Sequence, residues 1–102
     1  MLNQVVAVGR VAEELELKEK ESGEKVCELT LAVPRSYKNI EGEYETDFLE
    51  CVLFSGISEN AVKYCEKGDL VGIKGRIQSN DGKMQIVAER VTFLSTKKEE
   101  EE

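Results

Sequence analysis

Residues 31–54 read LAVPRSYKNIEGEYETDFLECVLF, and they join two strand-like runs through a loop that carries basic and aromatic side chains. Successive side chains of a β-strand point to opposite faces. One face of the second run is therefore wholly apolar, and the other bears two phenylalanines. The apolar face consists of Leu49, Cys51 and Leu53, and the outer face of Phe48, Glu50, Val52 and Phe54. The pattern predicts a strand with one face in a core and an aromatic face outward.

Two aromatic rings on this outer face indicate a binding surface. Phe48 and Phe54 are six positions apart, and the preceding loop adds Tyr37, Arg35 and Lys38. Rings and cations on a sheet are typical of surfaces on which the bases of single-stranded nucleic acids stack. The residues alone also allow a second interpretation, in which both rings pack under a loop or against another subunit.

The N-terminal part predicts two strands and a short arm. Gln4 to Val11 carries valine on both parities, which suits a strand buried on two faces or paired into a dimer interface. Lys25 to Val33 alternates between apolar and polar residues and is expected to end at Pro34, because proline cannot donate to a ladder. Between them, the charged stretch from Glu13 to Glu24 predicts a hairpin arm that reverses at Gly23.

The C-terminal half predicts a short helix followed by a hairpin. Ser58 fits the N-cap of the helix, which is expected to end near Gly68. Leu70 to Gln78 and Met84 to Leu94 predict strands four and five, and Asn80-Asp81-Gly82 is a strong hairpin turn. The expected core side of strand four consists of Val71, Ile73 and Ile77.

The order of these elements predicts the fold. Gly72 and Gly75 within strand four indicate bends or a close backbone approach, as the corners of a barrel need. A shift of apolar parity between Ala88 and Val91 in strand five indicates a bulge or a strand covered on both faces. Three strands, one short helix and two strands match an all-β, five-stranded Greek-key OB-fold barrel. An SH3-like barrel is the structural competitor, but such barrels usually lack a helix at this point.

Length and composition favour a single domain of the cytoplasm. The chain has 102 residues, and we expect one domain over residues 1–95 and a disordered acidic tail over 96–102. No apolar run approaches membrane-spanning length, and the N-terminal residues lack the features of a secretion signal. A cytoplasmic location without membrane contact is therefore expected.

The cysteines and the missing histidines argue against metal and enzyme chemistry. Cys27, Cys51 and Cys65 are widely spaced among apolar neighbours, which predicts reduced core thiols. The sequence has no histidine and no closely spaced cysteine pair, so we expect no metal and no cofactor. It also lacks a Gly-rich phosphate loop and a nucleophile elbow, so we do not expect an enzyme.

The net charge of −7 opposes nucleic-acid binding, which gains affinity from cations at phosphates. Much of this charge lies in two segments, because Glu13 to Glu24 holds six acids against two lysines and residues 95–102 hold four acids against two lysines. Val33 to Ile40 contains Arg35 and Lys38 without any acid. A local positive patch is therefore expected, with modest and salt-sensitive affinity.

Several motifs in register resemble the bacterial and phage single-stranded DNA-binding protein family. The segments similar to family motifs, in the same order and at nearly the same spacing, are MLNQVVAVGR, LTLAVPRSYKN, GEYETDFLECVLF, ENAVKYCEKGD and VGIKGRIQ. The resemblance implies an OB-fold subunit that binds single-stranded DNA without sequence preference in replication, recombination and repair. It implies a homotetramer, with a dimer as the next alternative, and contacts with replication or repair proteins.

The resemblance also implies roles for individual residues. It implies that bases stack on Tyr37, Phe48 and Phe54. Candidate phosphate contacts are Lys18, Lys38 and Lys67 at matching basic positions, with Arg35 adjacent to such a position and Arg76 on the outward side of strand four.

The sequence departs from the family in two places. The hairpin at Asn80-Asp81-Gly82 is short where typical members project a long basic loop, and no tryptophan is present. The last residues are glutamates, without the hydrophobic tip that recruits partners in typical members. These departures predict weaker binding or a shorter site. They leave an alternative function open, an OB-fold adaptor of the primosomal type that acts mainly through protein contacts and binds DNA weakly.

Overall fold

Six strands and one helix follow one another along residues 2–95, the part of the chain that the computed structural model describes. In chain order they are β1 (Val5–Val11), β2 (Lys18–Glu19), β3 (Lys25–Lys38), β4 (Tyr44–Phe54), α1 (Ser55–Tyr64), β5 (Leu70–Asn80) and β6 (Lys83–Ser95). The predicted tail at 96–102 lies outside the described residues.

Five of the strands close into a barrel. Neighbouring strands follow the order β1-β5-β6-β4-β3, and β1 also pairs with β3 at Arg10 and Val11, which closes the ring. The β4–β6 pair is parallel, through Cys51 opposite Ile86, and the other pairs are antiparallel. The short β2 adds to β3 as the predicted arm, reversing at Gly23 with a φ of 92°. The predicted five-stranded OB-fold barrel is confirmed.

The barrel interior is filled by alternating apolar side chains of β3, β4 and β5. The largest fully buried side chains there are Leu29, Leu31, Leu53, Ile73 and Val71. The three cysteines are buried among them, as predicted, and carry free thiols. Burial raises the pKa of Cys51 and of Cys65 to about 11, so both thiols stay protonated and unreactive at neutral pH.

The predicted end of the second strand at Pro34 is wrong. Strand β3 continues to Lys38, and its register with β4 shifts between Pro34, opposite Thr46, and Lys38, opposite Tyr44. An irregular ladder tolerates a residue without an N–H, because no regular hydrogen bond is lost there. The β3–β4 hairpin therefore projects as a paired arm, with residues 39–43 at its tip.

The predicted N-cap at Ser58 is also wrong. Helix α1 begins at Ser55, directly after Phe54, which occupies the N-cap without a side-chain capping bond. Ser58 lies inside the helix, is fully buried, and donates a 2.6 Å hydrogen bond to the carbonyl oxygen of Ser55. Residues 55–57, which an N-cap at Ser58 would place before the helix, belong to it, and Ser55 with a φ of 52° joins β4 directly to α1. The helix ends at Tyr64, before the predicted position near Gly68.

Strands β5 and β6 extend beyond the core as a second hairpin. Their turn places Asp81 at a φ of 51° and Gly82 at 78°, which is the predicted tight turn with both central residues left-handed. The predicted bulge in β6 is confirmed, because Gly75 faces Ala88 while Lys74 faces Arg90. Ile77, predicted to lie in the core, is 43% exposed because this part of β5 has passed the end of the barrel.

Candidate nucleic-acid interface

Three aromatic side chains form one row along the outer face of β4. Tyr44, Phe48 and Phe54 all have the parity opposite to the core residues of this strand, and we call them the aromatic row. Tyr44 is 59% and Phe48 64% exposed, while Phe54 is half-buried. At about 3.3 Å per residue, the row spans about 13 Å from Tyr44 to Phe48 and about 20 Å more to Phe54. Flat rings spaced along one exposed strand can each accept a stacked base.

One end of the aromatic row is bordered by lysines of the β2 arm. Lys18, Lys20 and Phe54 line a cleft of about 280 Å³, together with Gln78 and Asn80 of the second hairpin. The Nζ of Lys20 lies 4.7 Å from the Phe54 ring centroid, in cation–π contact. The structure thus brings the predicted Lys18 to Phe54. It adds Lys20, which sequence reasoning missed because it counted this lysine within an acidic segment.

Phe48 has an apolar neighbourhood instead. It lines a cleft of about 260 Å³ with Ile77, Met84 and Gln85, which places apolar side chains of the second hairpin opposite β4. Met84 is largely exposed and Ile77 partly so. A flexible thioether beside a ring is suited to flat ligands of varied shape. Ile77, which was predicted to lie in the core, is therefore part of this surface instead.

Between the two phenylalanines the surface is acidic. Glu13, Glu28 and Glu50 line a cleft of about 380 Å³, the central acidic cleft, in which Lys83 provides a cation. Gln85 lines this cleft and both of the others, so the three form one continuous surface. Within residues 2–95 no group of acidic or sulfur side chains is arranged to hold a metal ion. Carboxylates repel phosphates. A single strand of nucleic acid that crosses this cleft must therefore turn its bases, rather than its phosphate backbone, toward the protein.

The arm of the β3–β4 hairpin is held by a network around Arg35. Its guanidinium donates to Asp47 Oδ1 at 2.9 Å and Oδ2 at 3.1 Å, and to Glu45 Oε1 at 3.0 Å. Asn39 donates to the second oxygen of Glu45 at 3.1 Å and accepts the backbone N–H of Glu43 at 2.9 Å. Two carboxylates already pair with Arg35 and together exceed its single positive charge. Its role as a phosphate contact stays a prediction, and a phosphate would have to compete with both.

Tyr37 is 63% exposed on β3, between Arg35 and Lys38 along the chain. The pKa of Arg35, two residues earlier, is raised chiefly by the hydrogen bonds to Asp47 and by the charge of that carboxylate. Asp47 and Glu45 occupy the positions of β4 that alternate with the aromatic row. Tyr37 is thus an exposed ring close in sequence to the Arg35 network, on the strand that pairs with β4. Its stacking role stays a prediction.

The remaining predicted cations are dispersed. The Nζ of Lys38 lies 5.8 Å from the ring centroid of Tyr44, at the hairpin end of the aromatic row. Arg76 forms an ion pair with Glu89 at 3.0 Å. Lys67 is exposed in the segment after α1, which is tied to β1 by the 2.8 Å bond from the Gly68 N–H to the carbonyl oxygen of Val11. Among the predicted phosphate contacts, Lys18 and Lys38 are the two that lie beside rings of the row.

The pair of Arg35 and Asp47 predicts an acid-dependent stability. Hydrogen bonds from Arg35 hold the pKa of Asp47 below its ordinary value. The pair therefore stabilises the fold above the unfolded pKa of about 4, and this contribution is lost as the pH falls through the lower folded value. We expect the thermal midpoint of the wild type to exceed that of Asp47→Asn at about pH 6, and the difference to shrink below about pH 4.

A second variant isolates the partner in this experiment. In an Arg35→Gln background, Asp47→Asn should no longer produce the pH-dependent difference, because the cation that lowers the pKa of Asp47 is gone. Thermal unfolding of the four proteins across the acid range measures the effect. A wild-type advantage that stays constant down to about pH 2 would contradict the stabilising role of the pair.

Comparison with known proteins identifies the family. The profile of the Single-strand binding protein family matches residues 2–94. Single-stranded DNA-binding protein B of Bacillus subtilis is 38% identical over 98% of this chain and 96% of its own length. Single-stranded DNA-binding protein 3 of Listeria innocua is 43% identical over 95% of this chain and 66% of its own length.

A third relative, single-stranded DNA-binding protein 1 of Staphylococcus aureus, is 40% identical over 95% of this chain. The chain spans 64% of the Staphylococcus protein and 66% of the Listeria protein, so it matches about two thirds of each. The profile match and these identities cover nearly all of residues 2–95, and the barrel has the fold that the family resemblance implied. The chain belongs to the single-strand binding protein family.

Proposed function

We propose that this protein binds single-stranded DNA without sequence preference and acts in DNA replication, recombination and repair. The observation that carries the proposal is the aromatic row on the exposed face of β4. The names of the relatives support it, since each is a single-stranded DNA-binding protein. Because every base has a π-face, stacking on rings tolerates any sequence. The role is one of binding, and we assign no reaction to it.

The charges of the site set the expected strength of binding. Each stacked base contributes about 1 to 3 kcal/mol. Lys18, Lys20 and Lys38 border the aromatic row. For single-stranded DNA, the logarithm of the binding constant falls with the logarithm of the salt concentration, with a slope of about −0.7 for each phosphate that a cation neutralises. A slope of about −2 is therefore expected if all three contact phosphates. The central acidic cleft and the net charge of −7 keep the affinity modest.

Fluorescence anisotropy of labelled oligo-dT tests this function, with a duplex of the same length as the control and two salt concentrations. We expect micromolar or tighter binding to the single strand, weaker binding at high salt, and little binding to the duplex. Binding of neither DNA at low salt would overturn the proposal. The adaptor alternative, which works through protein contacts, would then be the better explanation.

We further propose that the protein assembles with itself, as a homotetramer or, failing that, a dimer. Of the two alternatives for the valine-rich β1, burial on both faces within one barrel does not hold, because Val6 is 71% and Val8 49% exposed. Together with Leu94 of β6 they line a shallow, largely apolar surface beside Gly72, which Lys74 and Arg90 border. Apolar faces of this kind favour contact with another subunit, and closed symmetric pairing is the commonest form.

Light scattering on a double variant, Val6→Glu with Val8→Glu, tests the assembly. The wild type should scatter as a multiple of the 11.4 kDa chain and the variant as a monomer. Ile40→Glu is the control, since Ile40 is fully exposed at the hairpin tip and should leave the mass unchanged. A wild type that scatters as a monomer at every concentration would overturn the proposal.

The proposed location is the cytoplasm. The three cysteines carry free thiols, which fits a reducing compartment, and a DNA partner is found there. Within residues 2–95, no helix combines the length and apolar character that a membrane crossing requires.

A further inference from the structure

We propose that Tyr44 is a further base-stacking position beside Phe48 and Phe54, which carries the DNA path past Phe48 onto the β3–β4 hairpin. This inference rests on the proposed function and adds a residue to the same site. Tyr44 lies four positions before Phe48 and shares its parity, so both rings leave β4 on the same side. The spacing of about 13 Å is shorter than the stretch of about 20 Å between Phe48 and Phe54. A DNA strand that spans the longer gap between Phe48 and Phe54 can therefore also span the shorter one from Phe48 to Tyr44.

The exposure of Tyr44 argues against a purely structural ring. A tyrosine that serves packing buries most of its ring, whereas this side chain is 59% exposed at the first position of β4. The Tyr44 ring contacts Lys38, its cross-strand partner. Lys38 lies over the ring, and the 59% exposure of the side chain leaves ring surface open to a base. The phenol also suits an exposed site, since its hydroxyl stays in water while the ring stacks.

The hairpin holds Tyr44 in place before any ligand arrives. The positions of β4 that alternate with Tyr44 are taken by Glu45 and Asp47, which are bonded to Arg35. Asn39 closes the tip through its bonds to the Glu43 N–H and the Glu45 carboxylate. A ring on a pre-ordered arm loses less conformational entropy on binding than a ring on a free loop. The Arg35 network thus has a positioning role for the aromatic row.

The charge around Tyr44 supports the same assignment. Lys38 places an ammonium group 5.8 Å from the ring centroid, where the phosphate next to a stacked base can be met. Glu41 and Glu43 at the tip limit the path on the far side, because phosphates are repelled there. The DNA path therefore ends at the pair of Tyr44 and Lys38 rather than at the hairpin tip.

A tryptophan substitution gives a direct probe of Tyr44. The chain contains no tryptophan, so Tyr44→Trp introduces a single indole at the proposed position. Oligo-dT should change its emission on binding, with an affinity close to that of the wild type. Tyr64→Trp is the matched control, because Tyr64 is an exposed tyrosine on α1 in contact with Phe93 and outside the row. Its emission should not respond to DNA.

Affinity measurements on two further variants separate the ring from the hydroxyl. Tyr44→Ala should weaken binding of a long oligo-dT by about 5- to 150-fold, as expected for one lost stacked base. Tyr44→Phe should retain wild-type affinity, since the ring is kept. A short oligo-dT that reaches only Phe48 and Phe54 should bind the alanine variant and the wild type equally.

The outcomes distinguish this inference from the function on which it rests. If Tyr44→Ala binds oligo-dT as tightly as the wild type, and if the emission of Tyr44→Trp does not change on binding, the inference is overturned. The proposed function would be left intact. Absence of single-strand binding by the wild type and by Tyr64→Trp would overturn both. Equal losses for short and long oligonucleotides would also count against it, because they would indicate a general disturbance of the fold.

Discussion

Replacing Phe48 and Phe54 together with alanine is expected to weaken single-strand binding by about 2 to 6 kcal/mol, because each lost stacking ring costs about 1 to 3 kcal/mol. This corresponds to a loss of affinity on the order of 30-fold to 10⁴-fold. The anisotropy titration with oligo-dT measures it directly. We expect the salt slope to change little, since the phosphate contacts of the lysines remain.

The two phenylalanines differ in how cleanly they can be tested. Phe48 is mostly exposed and lies beside Ile77 and Met84, so Phe48→Ala should leave the fold unaffected. Phe54 is half-buried, contacts Lys20 and stands at the N-cap of α1, so its replacement also affects stability. The single variant Phe48→Leu keeps an apolar side chain without the ring. It should bind nearly as poorly as Phe48→Ala if stacking is the interaction that is lost.

Tyr64→Ala is the control for this experiment, because it removes an exposed aromatic ring from α1 and leaves the aromatic row intact. Its affinity should equal that of the wild type. If the double variant of Phe48 and Phe54 binds oligo-dT as well as the wild type does, the row is not the binding surface. The search would then move to the Arg35 network and Tyr37.

Substituting Gly75 by alanine should destabilise the protein by about 3 kcal/mol or more, the upper range for overpacking a core position. An added Cβ would overlap the carbonyl oxygen of Val87 and would lie 2.9 Å from its carbonyl carbon and 3.1 Å from the Ala88 Cα. These atoms belong to the backbone of β6 at the bulge, so no side-chain rotation relieves the clash. Urea unfolding of the two proteins measures the loss.

Gly72→Ala is the matched control on the same strand. Its added Cβ would meet Val8 Cγ2 at 3.7 Å and Leu94 Cδ1 at 3.8 Å, which are ordinary contacts with side chains. We expect a change of less than about 1 kcal/mol for this variant. Equal effects at Gly72 and Gly75 would show that the close approach of β5 and β6 is not what requires glycine at position 75.

The barrel could be predicted because apolar and polar residues alternate over much of the strands that enclose the core. Cys51 and Leu53 are buried as their spacing indicated, and Leu49 is partly buried against the core. The prediction for Val52 is wrong, since this residue was expected on the outer face and is only 9% exposed. Errors arose where the tertiary structure departs from local rules. Pro34 is tolerated at an irregularity of the β3–β4 ladder, and Ser58 is covered by the barrel because β4 passes into α1 through a single left-handed residue. Neither circumstance has a signature in the neighbouring residues.

The candidate site was predicted in part for the same reason. Phe48 and Phe54 follow from alternation, and the same alternation continued four residues further would have found Tyr44. Lys20 could not be found in this way, since its position beside Phe54 depends on the pairing of β2 with β3. The partners of Arg35 were equally hidden. They come from β4, ten and twelve residues along the chain, and meet Arg35 only through the register of the hairpin.

The placement of the aromatic row on a single strand restricts how the gene can change in length. Inserting or deleting one residue between Phe48 and Phe54 would reverse the alternation on one side of the change. One ring would then point into the barrel, and a core residue would point into solvent. A change of length inside β4 would therefore disturb the core and the aromatic row together. The tips of the two hairpins, at residues 39–43 and 81–82, lie outside the barrel and lack this constraint. The two hairpins can thus change in length without moving a ring of the aromatic row into the core.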